Sequence, residues 1–324
     1  MMKPTRSHSQ TARIASLLAL AAATALAGTT APEIDRLAPA TNGFADARRP
    51  ITNPTLFDLA LPTTNVHPIA MFHRLPDYVD TTIGRVPMGG DVQVYALQFE
   101  IALNERFSIV ATKDGYVDID AKTEPLWSDQ SGFANLGAGV KYAFLLDPAT
   151  RTAASGTLTF ELPTGNHDVF QGEGDGAVNL IVSGLKLWND FQFAAGAGVH
   201  LEFDDQLAST SFVSAHASYE VCRWLIPLVE INWHHVLDTG DGRPNFSSQA
   251  GGAVPVVATF EGFDLLNFGA SNASQNRDLV TAAIGTRARL TDHLDLGWAY
   301  EIPLTNEHES IFRDRLTFDL VWTF

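Results

Sequence analysis

The twelve residues that end the chain, Arg313-Asp-Arg-Leu-Thr-Phe-Asp-Leu-Val-Trp-Thr-Phe324, alternate in a way that few folds accommodate. One parity carries Asp314, Leu316, Phe318, Leu320, Trp322 and Phe324; the other carries Arg313, Arg315, Thr317, Asp319, Val321 and Thr323. Successive side chains of a strand point to opposite faces, so this segment has one greasy, aromatic-ended face and one polar face. In a water-soluble sheet the polar face would be the outer one. A chain that repeats the pattern and stops on an aromatic fits better the other way round, with apolar side chains toward lipid and polar ones toward a lumen.

The pattern does repeat. Strand-like runs lie near 65–74, 91–103, 106–116, 133–146, 152–162, 176–188, 191–203, 210–222, 225–237, 278–290, 293–303 and 312–324. Within one of them Leu136, Ala138, Val140, Tyr142, Phe144 and Leu146 stand opposite Gly137, Gly139 and Lys141. Tight turns at Asn104-Glu105, 147–150, Asn189-Asp190, 222–224 and Thr291-Asp292 alternate with longer connections near 75–90, 117–132, 163–175, 204–209, 238–277 and 304–311. Sorting loop length by rim is how a membrane barrel is built. The reading is all-β: a closed transmembrane antiparallel β-barrel of about 12 strands, with short periplasmic turns and long extracellular loops. A second arrangement takes 258–268 as a strand and the first run as an N-terminal peg. The last strand resembles the C-terminal strand of bacterial outer-membrane barrels. That resemblance implies that Phe318, Leu320, Trp322 and Phe324 are what the barrel-assembly machinery reads.

The other end reads as an export signal. Lys3, Arg6 and Arg13 precede an apolar run, Ile14 to Ala27, that closes on Ala25-Leu26-Ala27. Residues 1–27 are therefore expected to be a cleaved signal peptide. Residues 28–64, rich in Ala, Pro and Thr, are expected to be a flexible periplasmic segment, and 65–324 the barrel. The expected location is the outer membrane of a Gram-negative-type bacterium, with lipid and lipopolysaccharide as surroundings. Net charge is −16, and the leader holds three cations, so the remainder stands near −19. That disfavours nucleic acid as a partner. Cys222 is the one cysteine, far from any cleavage site and unable to form an internal disulfide.

With the apolar parity toward lipid, the lumen receives Glu100, Lys141, Glu161, His200, Glu202, His216, Glu220, Glu230, Asn232, His234, Arg287, Arg289, Glu301, Arg313, Arg315 and Asp319. Carboxylates and histidines dominate strands 191–237, and four arginines dominate 278–324. Twelve strands at ~4.8 Å spacing and ~40° tilt give a backbone diameter of roughly 24 Å, enough for a narrow channel. The charges either set a transverse field that selects small solutes or pair across the lumen and stiffen it. The longest connection, 238–277, is expected to constrict the mouth or cap it.

Two constellations invite an enzyme reading. His216-Ala-Ser218 puts a histidine and a serine on one strand face, which resembles the outer-membrane phospholipases. In that family the pair faces lipid, whereas here alternation turns it inward, and no Asn or Asp is assignable as the orienting third member. His234 and His235 fall on opposite faces and cannot share a metal. The acidic loops Glu173-Gly-Asp175 and Asp238-Thr-Gly-Asp241 lack the ligand density of a calcium loop. Neither a metal, a cofactor nor enzymatic activity is expected.

Glu161-Leu-Pro-Thr-Gly165 at the upper end of one strand and Tyr300-Glu-Ile-Pro-Leu304 near the last loop resemble a broad family of outer-membrane barrels, the transporter or MetA-like phenol-degradation-pathway proteins. The resemblance spans about residues 65–324 and implies passive passage of small, aromatic or apolar solutes. The alternative is a structural or adhesive barrel acting through its acidic loops. A phospholipase ranks below both.

Overall fold

The computed structural model describes residues 43–81, 84–122, 129–240 and 277–324. The expected leader, residues 28–42, the alternative strand at 258–268 and nearly all of the 238–277 connection lie outside the described residues.

Among the described residues the strands are β1 (Asn65–Arg74), β2 (Tyr78–Thr81), β3 (Gly84–Pro87), β4 (Gly90–Ala102), β5 (Phe107–Lys113), β6 (Tyr116–Ala121), β7 (Gln130–Phe133), β8 (Leu136–Asp147), β9 (Thr152–Leu162), β10 (Ala177–Trp188), β11 (Phe191–Glu202), β12 (Ser209–Tyr219), β13 (Ile226–Asp238), β14 (Asp278–Arg289), β15 (Leu294–Pro303) and β16 (Asp314–Thr323). β2 and β3 form a small hairpin inside the first long connection. The rest make one antiparallel sheet in which β1 pairs with both β16 and β4, so the sheet closes on itself. β1 is therefore a barrel strand and not a peg.

β5 and β6 both pair with β4, and β8 and β7 pair with β5 and β6 in turn, so each couple is one stave with a break in it. Counted that way the barrel has twelve staves, as the alternation required. The first break falls at Asp114-Gly115. Gly115 sits at φ +126, and an added Cβ would lie 2.7 Å from the Tyr95 carbonyl oxygen, so only glycine fits there. These broken staves run through much of the 117–132 stretch expected to be a loop. Its valines and isoleucines, Val117 and Ile119, prolong the wall.

Outward positions are apolar over most of the wall: Leu97, Phe99 and Ile101 on β4, Leu180 and Val182 on β10, Val229 and Ile231 on β13. At the rim of short turns, aromatics cluster. Phe191 lies 4.6 Å from Tyr219 and 6.2 Å from Trp188 between ring centroids, and Trp322 stacks on the terminal Phe324 at 5.0 Å. Phe318 and Phe324 are exposed, with Leu320 and Trp322 part-covered on the same face. The inward row is polar and buried, which inverts a soluble sheet.

Two features depart from the sequence reading. First, the lumen is not polar throughout. Near the loop rim, Ile69, Met71, Val92, Val94, Val117 and Ile119 face inward and form a core with Leu75, Val79, Met88, Val169 and Ile311. The connections that supply those five residues fold back over the mouth, so the rule of apolar outward fails where the protein packs against itself. Second, residues 43–64 are not a free lead-in. Residues 48–62 are all buried, and the segment fills the lumen from the turn rim.

The lipid-facing assignment has a direct test. Ile231→Arg, in the middle of β13's outer face, should destabilise the inserted barrel by about 2–4 kcal/mol and lower the yield of heat-modifiable folded protein, while Ile231→Leu should not. Equal yields for the two variants would contradict the assignment.

Candidate functional site

The site is the lumen together with the segment inside it. Residues 43–64 carry Phe44, Ile51, Leu56, Phe57, Leu59 and Leu61, too much apolar surface to stay in water. The segment enters at the turn rim, where the Gly43 carbonyl accepts from Arg151 Nε at 2.9 Å and Asp46 pairs with the same guanidinium. It reverses at Asn53, which takes the left-handed conformation (φ 54) that asparagine tolerates best after glycine. The Leu56 and Phe57 amides close the turn onto the Asn53 carbonyl. The chain then returns to the rim and continues into β1.

Side chains of the wall hold the main chain of this plug. Gln192 accepts from Arg48 N at 2.7 Å and donates to Arg48 O at 2.6 Å. Arg287 donates to Arg49 O at 2.9 Å, and Gln98 to Pro54 O at 3.2 Å. Glu230 accepts from Ile51 N at 3.0 Å, Thr52 N at 2.7 Å and the Thr52 hydroxyl at 2.5 Å. The apolar side chains drop into gaps left by glycine. A Cβ at Gly196 would stand 2.9 Å from the Phe57 ring, and one at Gly297 would stand 2.8 Å from Ile51 Cδ1. Phe57 and Leu59 pack with Leu185, Leu187 and Ala194, Ile51 with Leu228, Ala283 and Ala299, and Leu56 with Ile181 and Phe212.

Ion pairs join plug and wall. Arg48 meets Glu220 at 2.9 Å. Arg49 meets Asp58 at 2.9 Å and Glu100 at 3.4 Å, and Lys141 pairs with both of those carboxylates. Burial pushes the Asp58 carboxyl up, but Arg49 and Lys141 outweigh it and hold it at about 2. Elsewhere the wall pairs with itself: Lys113 with Glu161 at 2.6 Å, His200 with Glu202 at 3.0 Å, Arg287 with Asp319 at 2.7 Å, and His67 with Asp319 at 2.9 Å.

The expected lumen residues are therefore mostly where alternation put them. Glu100, Lys141, Glu161, His200, His216, Glu230, Asn232, His234, Arg287, Glu301, Arg315 and Asp319 are buried inward, and Glu202, Glu220 and Arg289 are part-covered. Arg289 lies 3.8 Å from Asp295 and 4.0 Å from Glu220. Glu301 accepts from Thr281 and Asn232, and its cross-strand neighbour is Arg315. Arg313 is the exception. β16 begins one residue later, so Arg313 belongs to the preceding connection, and its exposed side chain reaches Asp77 at 3.4 Å. No acidic wall faces a basic one across open space, because the plug stands between them.

The histidine–serine pair has the third member that sequence reasoning did not assign. His216 is 3.0 Å from Ser218 Oγ through Nε2 and 2.7 Å from Glu230 through Nδ1. Glu230 is directly opposite His216 across the β12–β13 ladder, a neighbour that only the register reveals. The order is nucleophile, base, orienting carboxylate. The triad faces the lumen, and its carboxylate is shared with the plug. Sequence reasoning missed Arg48, Arg49 and Asp58, for which the apolar content of 43–64 was the available signal, and Gln98 and Lys113 on the wall. Among the described residues there is no group of histidine, cysteine or carboxylate side chains able to hold a metal.

No protein-family model matches the chain, and no curated protein matches it in sequence. Solved structures do match in shape. The COG4313 outer membrane channel from Pseudomonas putida F1 is 14% identical with a TM-score of 0.55, over 81% of this chain and 96% of that one. The NanC porin is 7% identical with a TM-score of 0.47, over 81% of this chain and 100% of that one. At such identities the likeness is one of fold: a twelve-stranded barrel of the outer-membrane kind.

Asp58 makes plug seating depend on pH. Its carboxyl titrates at about 2 when seated and near ~3.9 when released, so its ion pairs stabilise seating above the higher value and are lost as pH falls through the lower. Hydrogen exchange at the amides of residues 48–58 should rise relative to the barrel strands between about pH 4 and about pH 2. Asp58→Asn should remove that step; an unchanged profile would rule out Asp58 as its source.

Proposed function

We propose that the protein is an outer-membrane channel for passive passage of small solutes, held shut by its own N-terminal segment. The observation that carries this is how the segment is held. It is anchored by side chains of the wall to main-chain atoms and by ion pairs, inside a closed sheet that is complete without it. A segment held in this way can leave without unfolding the barrel, which would open a lumen roughly 24 Å across between backbones. The shape likeness to an outer-membrane channel supports the same reading. In this reading the gate is the 43–64 segment, and the polar wall around Glu230, Arg287 and Asp319 becomes the surface that meets solute. Aromatic or apolar cargo, implied by the family resemblance, would find its counterpart in the apolar mouth around Met71, Val94 and Ile119.

Phe57→Ala combined with Asp58→Ala empties the Gly196 cup and breaks the pairs to Arg49 and Lys141 without altering the wall. Mean conductance of the reconstituted full-length variant should exceed wild type by tenfold or more, and liposome swelling should follow. Absence of conductance in both proteins would sink the channel reading.

A second reading rests on Ser218, His216 and Glu230, whose geometry suits acyl transfer. Because the triad points inward, bilayer lipid is a poor fit as its substrate. Phospholipid hydrolysis by the Phe57/Asp58 variant should not exceed that of the same protein carrying Ser218→Ala. A drop on serine removal would favour the hydrolase.

A further inference from the structure

We infer that the barrel lumen is a binding site for a peptide main chain, occupied here by the protein's own Arg48–Pro54, and that short cationic peptides compete for it. This rests on the channel reading for its access route but makes a separate claim, about what the opened lumen recognises.

Three observations point to a peptide over a sugar, an inorganic ion or a plain aromatic. Six of the wall's hydrogen bonds fall on main-chain atoms: Arg48 N and O, Arg49 O, Ile51 N, Thr52 N and Pro54 O. Donors and acceptors alternate as peptide N–H and C=O groups do, and Pro50 contributes no N–H that would need a partner. Gln192 acts as one rung of a strand, its amide accepting from and donating to the same residue, which is how an added strand is recognised. Second, Gln98, Gln192, Glu230 and Arg287 are all buried. Both side-chain hydrogen bonds of Gln192 go to the Arg48 main chain, so without the plug its amide needs water or an equivalent chain, while Gln98, Glu230 and Arg287 are held in place by His67, His216 and Asp319 on the wall. Third, the side-chain requirements are specific. Glu220 takes the first cation at 2.9 Å and Glu100 the second at 3.4 Å, and Gly297 leaves room for a branched apolar residue two places on. A ligand with two successive basic residues followed by an apolar one satisfies this pattern. An acidic peptide brings like charge against Glu220 and Glu100.

The seated plug competes at high local concentration, so a free peptide binds the wild type weakly and the plug-weakened protein more strongly. The probe is the heptapeptide Arg-Arg-Pro-Ile-Thr-Asn-Pro, the sequence of residues 48–54, carrying a fluorophore. Its binding to detergent-solubilised full-length protein is read by anisotropy, independently of conduction. The Phe57→Ala/Asp58→Ala variant should bind it at least tenfold more tightly than wild type. Adding Gln192→Leu should cost at least tenfold, and the same peptide with glutamates in its first two places should not compete. In bilayers the unlabelled peptide should block the variant's open channel reversibly. Failure of the heptapeptide to bind the variant, equal competition by the acidic peptide, or indifference to Gln192→Leu would each overturn the inference. Binding without any conductance would uphold the peptide site and count against the channel reading alone.

Discussion

Closure of the sheet is the constraint from which the rest follows. In hydrocarbon an unpaired backbone N–H or C=O costs several kcal/mol, so a spanning sheet cannot keep an edge. Here β1 pairs with β16 on one side and β4 on the other, so the long strands join into a ring. Once the cylinder is closed, every strand must present alternate residues to two different solvents. Grease goes to lipid and polar side chains share a confined interior.

The plug answers this problem of confined charge. A buried ion without a partner is costly, and breaking a buried pair typically costs about 3–5 kcal/mol. Arg49, Asp58, Lys141 and Glu100 form a four-membered group with two charges of each sign, half from the plug and half from the wall. Lys141 and Glu100 also pair with each other at 3.0 Å, so one ion pair of the group lies wholly within the wall. At the opposite end the Met71 and Val94 cluster lines the mouth with apolar side chains.

The strand pattern was legible because alternation is forced by closure and survives without knowledge of any neighbour. Lumen residues such as Lys141, Glu230 and Arg315 could be named from parity alone. Parity failed where a strand boundary was misjudged, as at Arg313, and where connections folded inward over Val92 and Ile119. The plug had no period to betray it. Its fold is dictated by Gln192, Glu230 and Arg287, residues some 140 to 240 positions away along the chain.

By itself, then, the order of amino acids determined a closed antiparallel barrel, its stave number, which face meets lipid, and the sorting of turns from loops. All of these depend on local periodicity and on hydrogen bonds that lipid will not replace. Only the tertiary structure decided that residues 43–64 occupy the lumen, that Ser218, His216 and Glu230 stand in line, and that glycines 196 and 297 are cups for Phe57 and Ile51. Those facts depend on register and on contacts between distant segments, and no local pattern encodes either one.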